Sequence, residues 1–291
     1  MCITFFYVNQ QPLKAGFRLI LAMNRDEFYA RPAKTLSWTE DGKALAGFDM
    51  TPGKEGGTWL AVNKAGEIGF LTNISTGTVE QSGKGRGMLI LDYLKRDDPS
   101  NFAATDYLRC ISMEKVIYNP FNLTLISPQK EGGNFDINYY CRGKLGHVVD
   151  SMGPTTLENP EDGVFALSNH PLPRPFLKTQ EGKKAFKELV EGPLNDISKK
   201  SELKEAIFGI LTNKDKHMDD QQLRSQCGHD YAEEKLKAVS SIFVDTPVYG
   251  SRTQSIVLID HDWNLEFSEA HKNEDGTWSG KSETFKINLR K

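Results

Sequence analysis

The chain has 291 residues, 38% of them hydrophobic and 26% charged, with a formal net charge of −3. That composition supports a substantial soluble core in one large or two small domains, and it offers no basic stripe for nucleic acid. Four well-separated cysteines (Cys2, Cys110, Cys141, Cys227) without a C-x-x-C pair exclude a zinc knuckle or a thioredoxin-type motif and fit a reducing compartment.

The first apolar run, Ile3 to Val8, alternates as a strand does. It is short, lacks a basic leader and is followed at once by Asn9-Gln10-Gln11-Pro12. It therefore does not read as a secretory signal, and a cytoplasmic location is the default expectation. Phe17 to Met23 predicts a second strand, after a turn at 13–16. Thr58 to Val62 and Ile68 to Ile74 predict a hairpin, its turn Asn63-Lys64-Ala65-Gly66 supplying a glycine for positive φ. The period then becomes helical over Gly87 to Arg96 and Phe102 to Met113, with a stop and restart at Asp97-Asp98-Pro99-Ser100.

Strands return at Phe121 to Ser127 and Phe135 to Cys141, across a Gly132-Gly133-Asn134 turn, and at Gly163 to Asn169. Two helical segments follow, Thr179 to Gly192 and Lys200 to Asn213. The polar stretch from Asn213 to Asp230 has no period and predicts a long loop. Ala238 to Val244, Thr253 to Asp260, Leu265 to Ala270 and Thr284 to Leu289 predict further strands. No stretch is long and apolar enough to span a bilayer. Strands at both ends with helices in two internal blocks predict one α+β domain over residues 1–291, its sheets stacked between helical layers.

Cys2 lies directly behind the initiator methionine. It reads either as a buried residue at a strand start or, once Met1 is trimmed, as a residue carrying both a nucleophilic thiol and a free amine. The polar run Asn24-Arg25-Asp26-Glu27 caps an apolar strand, where an acid can orient an amine and an arginine can grip an anion. Asn73 and Asn169 end strands and Arg252 begins one. Such asparagines serve an oxyanion or simply form turns. Lys84 and Arg86 in Ser82 to Gly87 add charge to a glycine loop before a helix, which is not a phosphate-binding P-loop because Gly85 follows the lysine. Cys227-Gly228-His229 is too tight for a zinc pair, so no metal site is predicted. Without a C-x-x-C-H motif, any haem would bind non-covalently.

The ordered set "MCI-FF", "RLILAMNRDEFYARP", "GKEGGTWLAV", "LTN", "GRG", "FNL", "LSN" and "YGSRT" runs from Met1 to Arg252 and resembles the NRDE-motif family, that of transport and Golgi organisation protein 2. The resemblance implies an N-terminal-nucleophile hydrolase-like fold, a four-layer αββα sandwich similar to the cysteine-type choloylglycine and penicillin V acylases. It places Cys2 as nucleophile, Asp26 beside its amine, Asn73 and Asn169 as oxyanion and amine-orienting residues, and Arg252 as a late active-site arginine. Those acylases carry another arginine three residues before the acid, where this chain has Met23. Arg25 would point to the face opposite Asp26 if the strand continued.

The resemblance further implies haem handling, moving haem from storage organelles such as mitochondria, and a link to acyl-coenzyme A and lipid balance. Haem or an acyl-CoA would be the ligand, near an organelle membrane, and Asn24, Arg25, Asp26, Glu27, Lys84 and Arg86 would bind it. It also implies a part in secretion and Golgi organisation. A cysteine hydrolase acting on an amide or thioester and a non-enzymatic secretion factor are the alternatives.

Overall fold

A computed structural model describes residues 1–12, 14–74, 84–97, 102–129, 133–143, 152–228 and 232–289. Strand alternation sets the layering. On β1 (Ile3–Val8), Phe6 and Val8 turn one way with Cys2, while Ile3 and Phe5 turn the other. β1 lies between β2 (Phe17–Phe28) and β10 (Val164–Leu167), and β2 continues the sheet to β11 (Tyr249–Asp260), β12 (Asn264–Lys272) and β13 (Trp278–Lys286). Every pairing is antiparallel.

The second sheet runs in chain order through β3 (Ala33–Trp38), β4 (Ala44–Asp49), β5 (Leu60–Asn63), β6 (Ile68–Asn73), β7 (Phe121–Pro128), β8 (Phe135–Arg142) and β9 (Met152–Leu157). The β5–β6 hairpin turns as expected, with Gly66 at φ +79°.

The inner faces of the two sheets share one core, including Phe6, Leu21, Met23, Trp59, Phe70, Tyr139 and Phe267. α1 (Met88–Leu94) and α2 (Ala104–Met113) cover the second sheet through Ile90, Tyr93 and Leu108. α3 (Leu177–Glu191) and α4 (Lys200–Leu211) cover the first through Phe186, Val190, Leu203 and Ile207. Gly182 lets α3 approach β1, since a Cβ there would overlap the Phe5 ring. The result is the expected α+β, four-layer αββα sandwich.

Four expectations are corrected. β2 does not stop at Met23 but runs to Phe28, because β11 pairs with it through Tyr249–Phe28 and gives its polar residues partners. The expected loop 213–230 contains α5 (Gln221–Cys227), whose sparse apolar residues Leu223 and Cys227 are nevertheless buried. Residues 238–244 are not a strand. α6 (Glu233–Val239) ends within them, and the Ser240 and Ser241 hydroxyls donate to carbonyls three residues back. The last strand is Trp278–Lys286 rather than 284–289, because it pairs with β12 along its whole length. Strands β3, β4 and β9 had no expectation. The expected features at Leu13, Ser82-Gly83, Asp98-Pro99-Ser100, Gly132 and His229-Asp230 lie outside the described residues. Among the described residues, no helix is long and apolar enough to cross a membrane.

Candidate active site around Cys2

One position beyond the Ile3–Asn24 pair, the ladder brings Cys2 beside Arg25. The Cys2 side chain joins the inter-sheet core and is only 8% exposed. Burial pushes its thiol up. The N-terminal ammonium, a hydrogen bond from the Asp26 backbone and the Arg25 charge pull it down, while the Asp26 carboxylate raises it further. The Cys2 carbonyl accepts from Ser168 Oγ at 2.7 Å.

Asp26 faces the helical layer. Its Oδ1 accepts from Ser251 Oγ at 2.6 Å, and its Oδ2 lies 3.4 Å from the Met1 ammonium, which also donates to the Tyr249 hydroxyl. Asp26 is thus beside an amine, but that amine belongs to Met1 rather than to Cys2. Asn24 sits on the same face, donating to the Leu211 and Ile242 carbonyls and accepting from Gln254. It ties β2 to the helical layer, with both ends of its amide occupied.

Arg25 and Glu27 face between the sheets. Arg25 does point away from Asp26, as the alternation requires, and this is the face that Cys2 shares. Its guanidinium stacks on Trp59 at 4.1 Å, is 5% exposed, and has no hydrogen bond at Nη1. Its nearest carboxylate oxygen, on Glu27, is 3.9 Å away. Glu27 instead pairs with Arg31 at 3.1 Å, and Arg31 pairs with Asp49 at 2.5 Å.

Arg86 meets the same region from the loop before α1. Its Nη2 donates to Asn73 Oδ1 at 2.5 Å, and burial, with Arg31 adding to it, lowers the guanidinium to about 10 against the pull of Cys2 and Glu27. The Asn73 carbonyl accepts from Asn169 Nδ2 at 2.5 Å, and the Asn169 carbonyl accepts from Gln226 on α5. The two asparagines therefore meet, as part of one polar chain from α5 to Arg86.

Two candidates have other partners, although the charge of Arg252 still bears on Arg25. Arg252 spends Nη1 on the carbonyls of Phe28, Tyr29 and Arg31, clamping the reversal after β2. Lys84 is exposed and stacks toward Tyr118, away from the group around Cys2.

Three buried groups escaped the sequence reading. Lys178 is fully buried at the start of α3, donates to the Ser241 carbonyl at 3.1 Å, and has its ammonium form disfavoured by burial against the charges of Asp26 and Cys2. His170, next to Asn169, is pushed down to about 4 by burial and stays neutral between the Pro171 carbonyl and Thr179. Glu269, 3% exposed, is pushed up to about 7. Nothing in the local sequence separates Lys178 from Lys183 or Lys184 on the same helix.

Among the described residues no group of histidines, cysteines and carboxylates is arranged to hold a metal ion. Cavities of about 340 Å³, lined by Tyr93, Arg96 and Asn138, and about 310 Å³, lined by Phe165, Leu172 and Lys183, lie elsewhere. Cys2 lines neither.

The family model described as Transport and Golgi organisation 2 matches residues 1–274. The "Transport and Golgi organization protein 2 homolog" of Homo sapiens is 35% identical over 271 residues, covering 92% of each chain. The Drosophila melanogaster "Transport and Golgi organization protein 2" is 32% identical over 274 residues, covering 92% of this chain and 91% of its own. Among solved structures, a variant of the conjugated bile acid hydrolase from Clostridium perfringens aligns with TM-score 0.50 at 9% identity, over 99% of this chain and 98% of that one. That likeness is one of fold.

Proposed function

We propose, for a chain that belongs to the Transport and Golgi organisation 2 family, that the region around Cys2 is a binding site for an amphipathic anion, haem or an acyl-CoA. On this reading the protein handles haem in the cytoplasm and at mitochondria, with a link to lipid balance, on a hydrolase-derived scaffold.

The observation that carries the proposal is Arg25. A buried guanidinium with an unpartnered nitrogen costs free energy unless an anion meets it. Its flat face is already held by Trp59, which leaves its edge for a carboxylate or phosphate. Arg86, which among the described residues gives a side-chain hydrogen bond to Asn73, is the second cation on that side. Haem propionates and acyl-CoA phosphates both suit this pair.

Titration of the purified protein with haem and, separately, with palmitoyl-CoA tests the proposal. Saturable binding tighter than roughly 100 μM, about −5.5 kcal/mol, is expected for at least one. Arg25→Gln should weaken it about tenfold or more. No saturation by either ligand refutes the reading.

A second reading, cysteine hydrolysis of an amide or thioester, is favoured by one arrangement: Asp26 beside the N-terminal amine, and Asn73 and Asn169 joined at the other side of Cys2. It requires Met1 to be absent, so that the Cys2 amine serves as base to its own thiol. Intact mass without Met1, together with selective alkylation of Cys2, is the expected signature. Full retention of Met1 rules this mechanism out.

A further inference from the structure

The first residue of this chain is a core residue. Met1 is 9% exposed, and its side chain packs with Phe176, Leu223, Cys227, Leu236 and Val239 in a cluster separate from the inter-sheet core. These residues come from the start of α3, from α5 and from α6. The Met1 ammonium is held by Asp26, 3.4 Å away, and by the Tyr249 hydroxyl. The residue that follows is pinned by the Ser168 hydroxyl on its carbonyl.

The cover over Met1 is itself tied down. Asp220 accepts from Leu223 N at 2.9 Å and from Leu177 N at 2.7 Å, joining the starts of α5 and α3. Gln226 donates to the Asn169 carbonyl. Arg224 and Glu233 link α5 to α6 at 2.7 Å.

An aminopeptidase needs the ammonium, the first side chain and the first peptide bond in its own site at once. The ammonium and the first side chain are engaged here, and the chain just beyond the first peptide bond is held at the Cys2 carbonyl. Cleavage of the folded chain would have to wait for local opening, and its rate would follow the open population.

We propose that Met1 is removable only before α3, α5 and α6 close over it. The step is hydrolysis of the Met1–Cys2 bond by water in a methionine aminopeptidase acting on the nascent chain. It releases methionine and leaves Cys2 as the free amine. A molecule that folds with Met1 in place keeps it, as a sealed form in which Cys2 remains an amide. The inference stands whether the protein binds its ligand or hydrolyses it.

The test begins with protein expressed under methionine aminopeptidase inhibition and shown by intact mass to carry Met1. The folded protein and a synthetic peptide of residues 1–12 are incubated with purified methionine aminopeptidase. The peptide should be trimmed, and the folded protein should lose methionine at least ~100-fold more slowly. Asp220→Ala or Leu236→Ala, which loosen the cover without touching Cys2 or Asp26, should speed trimming about tenfold or more. Trimming of the folded wild type within about tenfold of the peptide rate overturns the proposal. So does a slow rate unchanged in both variants, since the α5–α6 cover would then not be what protects Met1.

Discussion

Replacing Glu269 by glutamine should stabilise the protein, and only at neutral and higher pH. Glu269 lies on β12 between the sheets. Its Oε1 accepts from Leu36 N at 3.0 Å, and its Oε2 has no hydrogen-bond partner. Trp59 and the backbone of Gly47 wall it in, since a Cβ at Gly47 would lie 2.7 Å from both Oε2 and the indole. Burial pushes the carboxyl from 4.5 up to about 7, against the Leu36 hydrogen bond and the charges of Arg25 and Lys281. In the unfolded chain it titrates near 4.5, so between pH 4.5 and 7 the native state holds the extra proton. Stability therefore falls as pH rises through that window. The displacement corresponds to about 3 kcal/mol, fully lost by about pH 8. The amide of Glu269→Gln keeps the acceptor for Leu36 N and cannot ionise. Urea unfolding of both proteins at about pH 5, 6, 7 and 8 should show the variant gaining on wild type by about 3 kcal/mol across the series. Parallel curves, or a wild type that gains with pH, would mean that Arg25 holds Glu269 ionised and would refute the reasoning.

Asp220→Ala removes an N-cap and a tie between helices at a buried position, and should cost about 1–2 kcal/mol in urea unfolding. Gly182→Ala gains up to about 1 kcal/mol in helix propensity. Its methyl would overlap Phe5, an overpacking cost of about 1–3 kcal/mol, so a net loss in thermal stability is expected. Arg25→Gln removes a cation that lowers the Cys2 thiol, so the pH midpoint of Cys2 alkylation should rise, and a fall would contradict the contact. His170 is held at about 4 against 6.5 when unfolded. The unfolded state thus binds more protons between those values, and stability should fall as pH drops through them. His170→Gln should flatten that limb in acid titrations followed by circular dichroism.

Much of the architecture was legible in the sequence. Alternation in Ile3 to Val8, the Gly66 hairpin and the helical period after Gly87 each reflect burial of a single face, which one sequence displays. What stayed hidden depends on distant partners. Strand β2 looked finished at Met23 because Asn24 to Glu27 are polar. Three of them meet groups far along the chain, Leu211, Trp59 and Ser251, and Glu27 meets Arg31 four residues on. Helix α5 reads QQLRSQC, too polar to display a period, yet Leu223 and Cys227 one turn apart are enough to seat it on Met1. Asp26 beside the terminal amine and the meeting of Asn73 with Asn169 follow the motif order. Arg252 lies near enough to Arg25 for its charge to be felt there, but it gives Nη1 to carbonyls after β2, and a motif match carries no information about that.

The polar chain between the sheets has a mechanical consequence. Thr72 Oγ1 and Asn122 Nδ2, on the second sheet, donate to the Ser168 carbonyl at the exit of β10, and Tyr139 donates to Asn122. On the far side, Leu36 of β3 is tied to Glu269 of β12. Latched at both flanks around a shared apolar core, the two sheets should open to exchange as one unit. Any breathing motion that admits a bulky guest beside Cys2 then falls to the α5–α6 flap, which hangs on Asp220, Gln226 and the Met1 side chain. The flap's amides should exchange hydrogen well before those of β1, β2 and β11.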